Sequence, residues 1–105
     1  MVSEAVRRRF SCRSYADRPV EKEVLDRIFE AARLAPSAKN MQDWRFVAVT
    51  DREIKRKVIE STNKPDIFNK APIVIAACSV SDYVMGCGQP AGPIDVAIAM
   101  EHIAL

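Results

Sequence analysis

Two short stretches carry the side chains best suited to chemistry. In Arg9-Phe10-Ser11-Cys12-Arg13, two arginines lie four residues apart with a serine between them. If a helix ends near Arg9 and the chain turns there, guanidinium, hydroxyl and guanidinium face one region. Two forked cations and one small neutral donor suit a phosphate. The same run suits a solvated basic helix end, where arginine is favoured electrostatically. The second stretch is LAPSAKNMQDWRF, Leu34 to Phe46. Pro36, Ser37, Asn40 and Gln42 occupy a link too long for a simple turn. Asn and Gln each place a donor and an acceptor in one plane, which matches the edge of a flat heterocycle. A self-capping loop, whose Ser and Asn bond local backbone, is the plain alternative. Trp44 suits a core or interface anchor.

Other chemistries find little footing. The three glycines, Gly86, Gly88 and Gly92, fall in one late segment, so no GxGxxG or Walker-type loop exists. No Gly-x-Ser-x-Gly elbow is present. His102, the lone histidine, lies inside an apolar stretch and has no neighbours at ligand spacing; a packed or dimer-facing role fits it better than catalysis. Cys12, Cys78 and Cys87 are odd in number and lack CxxC spacing, which reads as free thiols in a reducing cytoplasm. The hard chemistry of any enzyme here therefore belongs to a cofactor. A net charge of +2, from 16 basic and 14 acidic side chains, gives nucleic-acid binding no support. A small basic binding module built on RRRFSCR is the remaining outside reading.

The elements that must position these groups follow from patterning. SEAVRRRF reads as a short helix with Ser3 as its N-cap. In EKEVLDRIFEAARLA, Val24, Leu25, Ile28, Phe29 and Ala32 lay one apolar stripe along a helix that Pro36 stops. RFVAVT and IVIAACSV read as buried strands, the second with the apolar run of a sheet covered on both faces. Thr50 and Glu53 form a capping box for DREIKRKVIEST, NKPDIFNKAP reads as a polar connection, and Pro93 opens a last helix. That helix is apolar nearly all round, through Ile94, Val96, Ile98, Met100, Ile103 and Leu105. Such a helix must be buried on all sides, which implies a larger domain or a partner subunit. No apolar run reaches the roughly 20 residues of a membrane helix, and the start MVSEAVRRRFSC lacks the apolar core of a signal peptide. At 105 residues and 49% hydrophobic, the chain fits one domain with a core.

Read together, RFSCRSY, AARLAPSAKNMQDWRFVAV, KAPIVIAAC and CGQPAGPIDVAIAMEHIAL resemble the FMN-dependent nitroreductase family, in order and at sensible separations. The resemblance implies an α+β fold: three layers, with a central mixed sheet flanked by helices, incomplete here, residues 1–105 being the N-terminal portion of a single domain. It implies a homodimer with FMN at its interface, and the free thiols add the expectation of a cytoplasmic protein. Arg9, Phe10, Ser11 and Arg13 match positions that hold the phosphate and ribityl chain, Phe10 mainly through its backbone. Pro36, Ser37, Ala38 and Asn40 match the segment that reaches the flavin ring from the partner chain, and the last helix matches the dimer's central helix. The implied activity is NAD(P)H-driven reduction of a small-molecule oxidant such as a nitroaromatic or quinone, with no catalytic side chain assigned, and with no nucleic acid or membrane as partner. Phe10, Lys39 and Asp43 depart from residues usual in the family: a basic or polar group, a small residue and a proline. The family pattern continues with further strands and late basic residues that close the phosphate site. A truncated, non-catalytic dimerisation fragment is therefore the competing expectation.

Overall fold

The computed structural model describes residues 1–105. The first helix, α1 (Glu4–Arg8), is capped by Ser3, whose hydroxyl accepts from the Val6 amide at 3.4 Å. The second, α2 (Lys22–Arg33), turns its expected stripe inward: Val24, Leu25, Ile28 and Phe29 are half-buried and Ala32 is fully buried. A single 3-10 turn at Ala38–Asn40 then leads into β1 (Trp44–Val49). Next come α3 (Arg52–Glu60), a one-turn α4 (Pro65–Phe68) inside the expected polar connection, β2 (Val74–Ser79) and α5 (Ala91–Ala104). The result is an α+β arrangement with a small antiparallel sheet.

The strands pair from Trp44 opposite Ser79 to Val49 opposite Val74. Side chains alternate across a strand, so Trp44, Phe46 and Ala48 share one face with Ile75 and Ala77. On that face Trp44 joins Ala32, Ala35 and Ala99 in the core, and Phe46, Val96 and Ile103 pack against it. Phe29 of α2 meets Phe46 at 6.5 Å between ring centroids. Alanines from α2 and α5 in this cluster let the helices approach closely, since side-chain size sets interaxial distance.

Three expectations are corrected. Coverage of the sheet on its second face is incomplete within this chain: Arg45, Val47 and Cys78 lie exposed there, while Val74 and Ala76 are half-buried and Val49 is buried at the end of β1. The cap of α3 is Asp51, not Thr50, because Asp51 holds the extended backbone and its Oδ1 accepts from Ile54 N at 2.9 Å. Glu53 pairs instead with Arg56. Finally, α5 starts nearly a turn before Ile94, with Pro90 as N-cap and Pro93 third in the helix. Pro93 is tolerated there because first-turn amides have no helical acceptor.

The apolar character of α5 is not fully used within the chain. Ala91, Gly92, Asp95 and Ala99 are buried, while Ile94, Ile98, Met100 and Leu105 remain 37–50% exposed. Only ten residues are buried, and the Cα radius of gyration is 15.2 Å, against about 13 Å for a compact chain near this length. Much apolar surface therefore faces outward.

Candidate functional site

The N-terminal arm leaves α1 as expected. Arg9 is the C-cap, with extended backbone and its amide bonded to the Ala5 carbonyl at 3.1 Å. The next turn is fixed locally: Cys12 Sγ donates to the Ser14 carbonyl at 3.0 Å and the Tyr15 hydroxyl to the Cys12 carbonyl at 3.2 Å. Arg9, Phe10, Ser11 and Arg13 are all exposed. Arg9 lies 3.7 Å from Glu101 of α5, a loose contact; Ser11 and Arg13 have no hydrogen-bond or ion-pair partner. A cleft of about 360 Å³ between α1 and the end of α5 is lined by Arg8, Arg9, Phe10 and Leu105.

The second set is held far more firmly. Ser37 is extended, and its Oγ accepts from the Gln42 amide at 3.0 Å. The Asn40 amide donates to the Ser37 carbonyl at 2.9 Å and the Met41 amide to the Ala38 carbonyl at 3.1 Å. Lys39, Asn40 and Gln42 have φ of 51°, 53° and 56°. Asn tolerates the left-handed region, but Lys and Gln adopt it at a cost of roughly 1–3 kcal/mol each. The self-capping reading thus holds for the acceptor side of Ser37, while its O–H remains available. The Asn40 side chain is exposed and has no partner. Lys39 is exposed and reaches over the Tyr83 ring, its Nζ 4.5 Å from the centroid.

What fixes this loop from outside is Asp95, which sequence reasoning missed. It is 6% exposed, and the Ala38 amide donates to its Oδ1 at 3.1 Å and its Oδ2 at 3.2 Å. The available signal was an aspartate set between apolar residues near the start of the helix, since an aspartate is almost never fully buried without a partner. Six residues further along, about 9 Å of helix, Glu101 faces Arg9. His102 has Nδ1 3.1 Å from the Ala31 carbonyl; a carbonyl only accepts, so Nδ1 carries the proton. The histidine is therefore packed against α2.

So α5 is the element to which both sets attach, the loop near its start and the arginine arm near its end. No hydrogen bond or ion pair joins Arg9, Ser11 and Arg13 to Pro36, Ser37, Ala38 and Asn40 within the chain. No three His, Cys, Asp or Glu side chains converge as a metal site, and no helix is long and apolar enough to cross a membrane.

Comparison with known proteins gives this geometry its context. Residues 6–64 match the family described as the Nitroreductase family, a span that holds both candidate sets. An FMN reductase [NAD(P)H] of Bacillus subtilis is 39% identical over 69 residues, which are 66% of this chain and 28% of that protein. An NADH dehydrogenase of Thermus thermophilus is 41% identical over 71 residues, covering 68% of this chain and 35% of that protein. The crystal structure of a nitroreductase family protein from Clostridium difficile 630 superposes with a TM-score of 0.81 at 34% identity, covering 96% of this chain and 58% of the other. The chain spans about a third of the length of these two curated relatives. With more than half of its residues matched and its fold shared, the chain belongs to the nitroreductase family.

Proposed function

We propose that this chain supplies the cofactor-binding part of an FMN-dependent oxidoreductase, which uses NAD(P)H to reduce a nitroaromatic or quinone-like oxidant. One observation carries the reading: two sets of polar groups, anchored to one helix, keep donors that the chain itself leaves unused. Ser11 and Arg13 have no internal partner, Arg9 has only a loose one, and the side-chain amide of Asn40 is free. That donor set fits FMN, which joins a phosphate and a polyhydroxyl chain to a planar ring with alternating acceptors and donors. Arg9, Ser11 and Arg13 would hold the phosphate and ribityl chain, with Phe10 through its backbone. Pro36, Ser37, Ala38 and Asn40 would border the ring. When bound, the flavin supplies two-electron transfer between nicotinamide and oxidant. The chain's own residues bind and orient, and rate comes from position and electrostatics rather than an acid–base pair. The name of the B. subtilis relative, an FMN reductase [NAD(P)H], supports this reading.

Because the two sets attach at opposite ends of α5 and do not meet, a homodimer that brings the arginine arm of one copy to the loop of another completes the site. Reconstitution with FMN and desalting should leave flavin absorbance on the protein, and NAD(P)H should be consumed only when an oxidant is present. Arg9→Ala with Arg13→Ala should weaken FMN binding by about 100-fold, the value of one or two charge-assisted hydrogen bonds. Undiminished flavin in that variant would end the anchoring role, and a wild-type protein that takes up no flavin would end the reading as a whole. A second reading, a flavin-family dimerisation fragment without turnover, draws on the thin core and exposed apolar faces. Flavin bound without NAD(P)H oxidation would select it.

A further inference from the structure

We infer that Asp95 is the positioning residue of the Ser37–Gln42 loop: its buried carboxylate sets the backbone conformation in which Ser37 and Asn40 meet the flavin ring. This rests on the flavin reading above. The carboxylate is 6% exposed and takes one donor, the Ala38 amide, shared between its oxygens at 3.1 and 3.2 Å. A carboxylate can accept several hydrogen bonds, and burying its charge on a single backbone amide is expensive. Helix packing does not ask for it: the neighbouring buried positions on α5 are Ala91, Gly92 and Ala99, and an alanine would pack there at no electrostatic cost. What the carboxylate provides is a hydrogen-bonded fixed point for the backbone of the strained turn, beside the exposed contact of Lys39 with the Tyr83 ring. The other hydrogen bonds that shape the turn are internal to it, from the Asn40 and Gln42 amides to Ser37 and from the Met41 amide to Ala38, and they cannot fix where the turn sits on the fold. The Asp95 contact spans 57 residues of sequence and does fix it. Lys39, Asn40 and Gln42, three left-handed residues within four positions, would relax if Ala38 were released, and Asn40 would lose its aim.

The test uses Asp95→Asn and Asp95→Ala in the full chain, with two readouts. The first needs no flavin: amide hydrogen exchange should quicken about tenfold or more at Ala38 to Gln42 in Asp95→Ala, less in Asp95→Asn, and stay unchanged in β1, β2 and α5. Unchanged loop exchange in Asp95→Ala overturns the inference. A uniform rise over the whole chain in both variants also overturns it, by making Asp95 a general stability group. The second readout is a pair of titrations with FMN and with riboflavin, which lacks the phosphate. Asp95→Ala should weaken both ligands by the same factor, about tenfold, because the loss falls on the ring; Arg9→Ala with Arg13→Ala should weaken FMN far more than riboflavin. A loss confined to FMN overturns the inference. Wild-type protein that binds neither ligand, but shows the local exchange change, sinks the flavin reading while leaving Asp95 as the anchor of the loop.

Discussion

Gly92 shows how narrowly one residue type is required. It is buried in the first turn of α5, and a Cβ built there overlaps the Ser79 side chain. Ser79 cannot easily rotate away, because its Oγ accepts from the Ser81 amide at 3.1 Å. Gly92→Ala should therefore cost about 1–3 kcal/mol, the usual range for overpacking, despite the better helix propensity of alanine. A thermal melt would register this as a drop of several degrees in a chain of this size. Adding Ser79→Gly should recover part of the loss, since the two positions touch and their effects should not add. A Gly92→Ala protein as stable as wild type would show that α5 does not approach the end of β2 so closely. The adjacency matters for the site, because Asp95 sits one turn further along the same helix.

Helices α2 and α3 each hold an arginine forked to a glutamate one turn away. Arg33 makes a fork to Glu30 at 2.7 and 2.8 Å, and Arg56 one to Glu53 at 2.6 and 3.2 Å while also reaching Glu60 at 2.6 Å. These hydrogen bonds hold the carboxyls of Glu30 and Glu53 below their ordinary value of 4.5. For an acid whose pKa is depressed by folding, the stabilisation is complete above the unfolded value and is lost as pH falls through the folded one. The melting temperature should thus be flat through neutral pH and fall in acid below about pH 4.5, while Glu30→Gln with Glu53→Gln should flatten that acid limb slightly. Both pairs are exposed, so salt should mute the difference; an acid limb unchanged in the double variant would show that the forks do not persist in solution. These helices also show what a sequence discloses. The stripe of Val24, Leu25, Ile28 and Phe29 and the Ser3 cap were legible because their signals are local. At Thr50 and Asp51 two competent caps stand side by side, and only the backbone decides between them. The polar loop was legible as a set of side chains, but its anchor was not, because the contact of Ala38 with Asp95 depends on how two distant segments fold together.

At the scale of the whole molecule, the question is what covers α5. Buried positions on one side of this helix meet α2 and the sheet, while Ile94, Ile98, Met100 and Leu105 stay substantially exposed on the rest. The two donor sets hang from the same helix about 9 Å or more apart along its axis, without meeting. A second copy packed on the exposed stripe would bury apolar surface, at roughly 25 cal/mol per Å², and would bring unlike sets together in two equivalent sites, as two-fold symmetry requires. If each site is shared in this way, flavin affinity should depend on protein concentration. Ile98→Lys with Met100→Lys tests this cleanly: both side chains are already 37% and 50% exposed, so folding should suffer little, while two like charges facing their symmetry mates should prevent association. Sedimentation velocity should show a dimer for wild type and a monomer for the variant, and flavin affinity should fall by at least about tenfold with dimerisation. A folded monomer that binds FMN as tightly as wild type would mean that one chain completes the cradle alone, and the shared site would have to be abandoned.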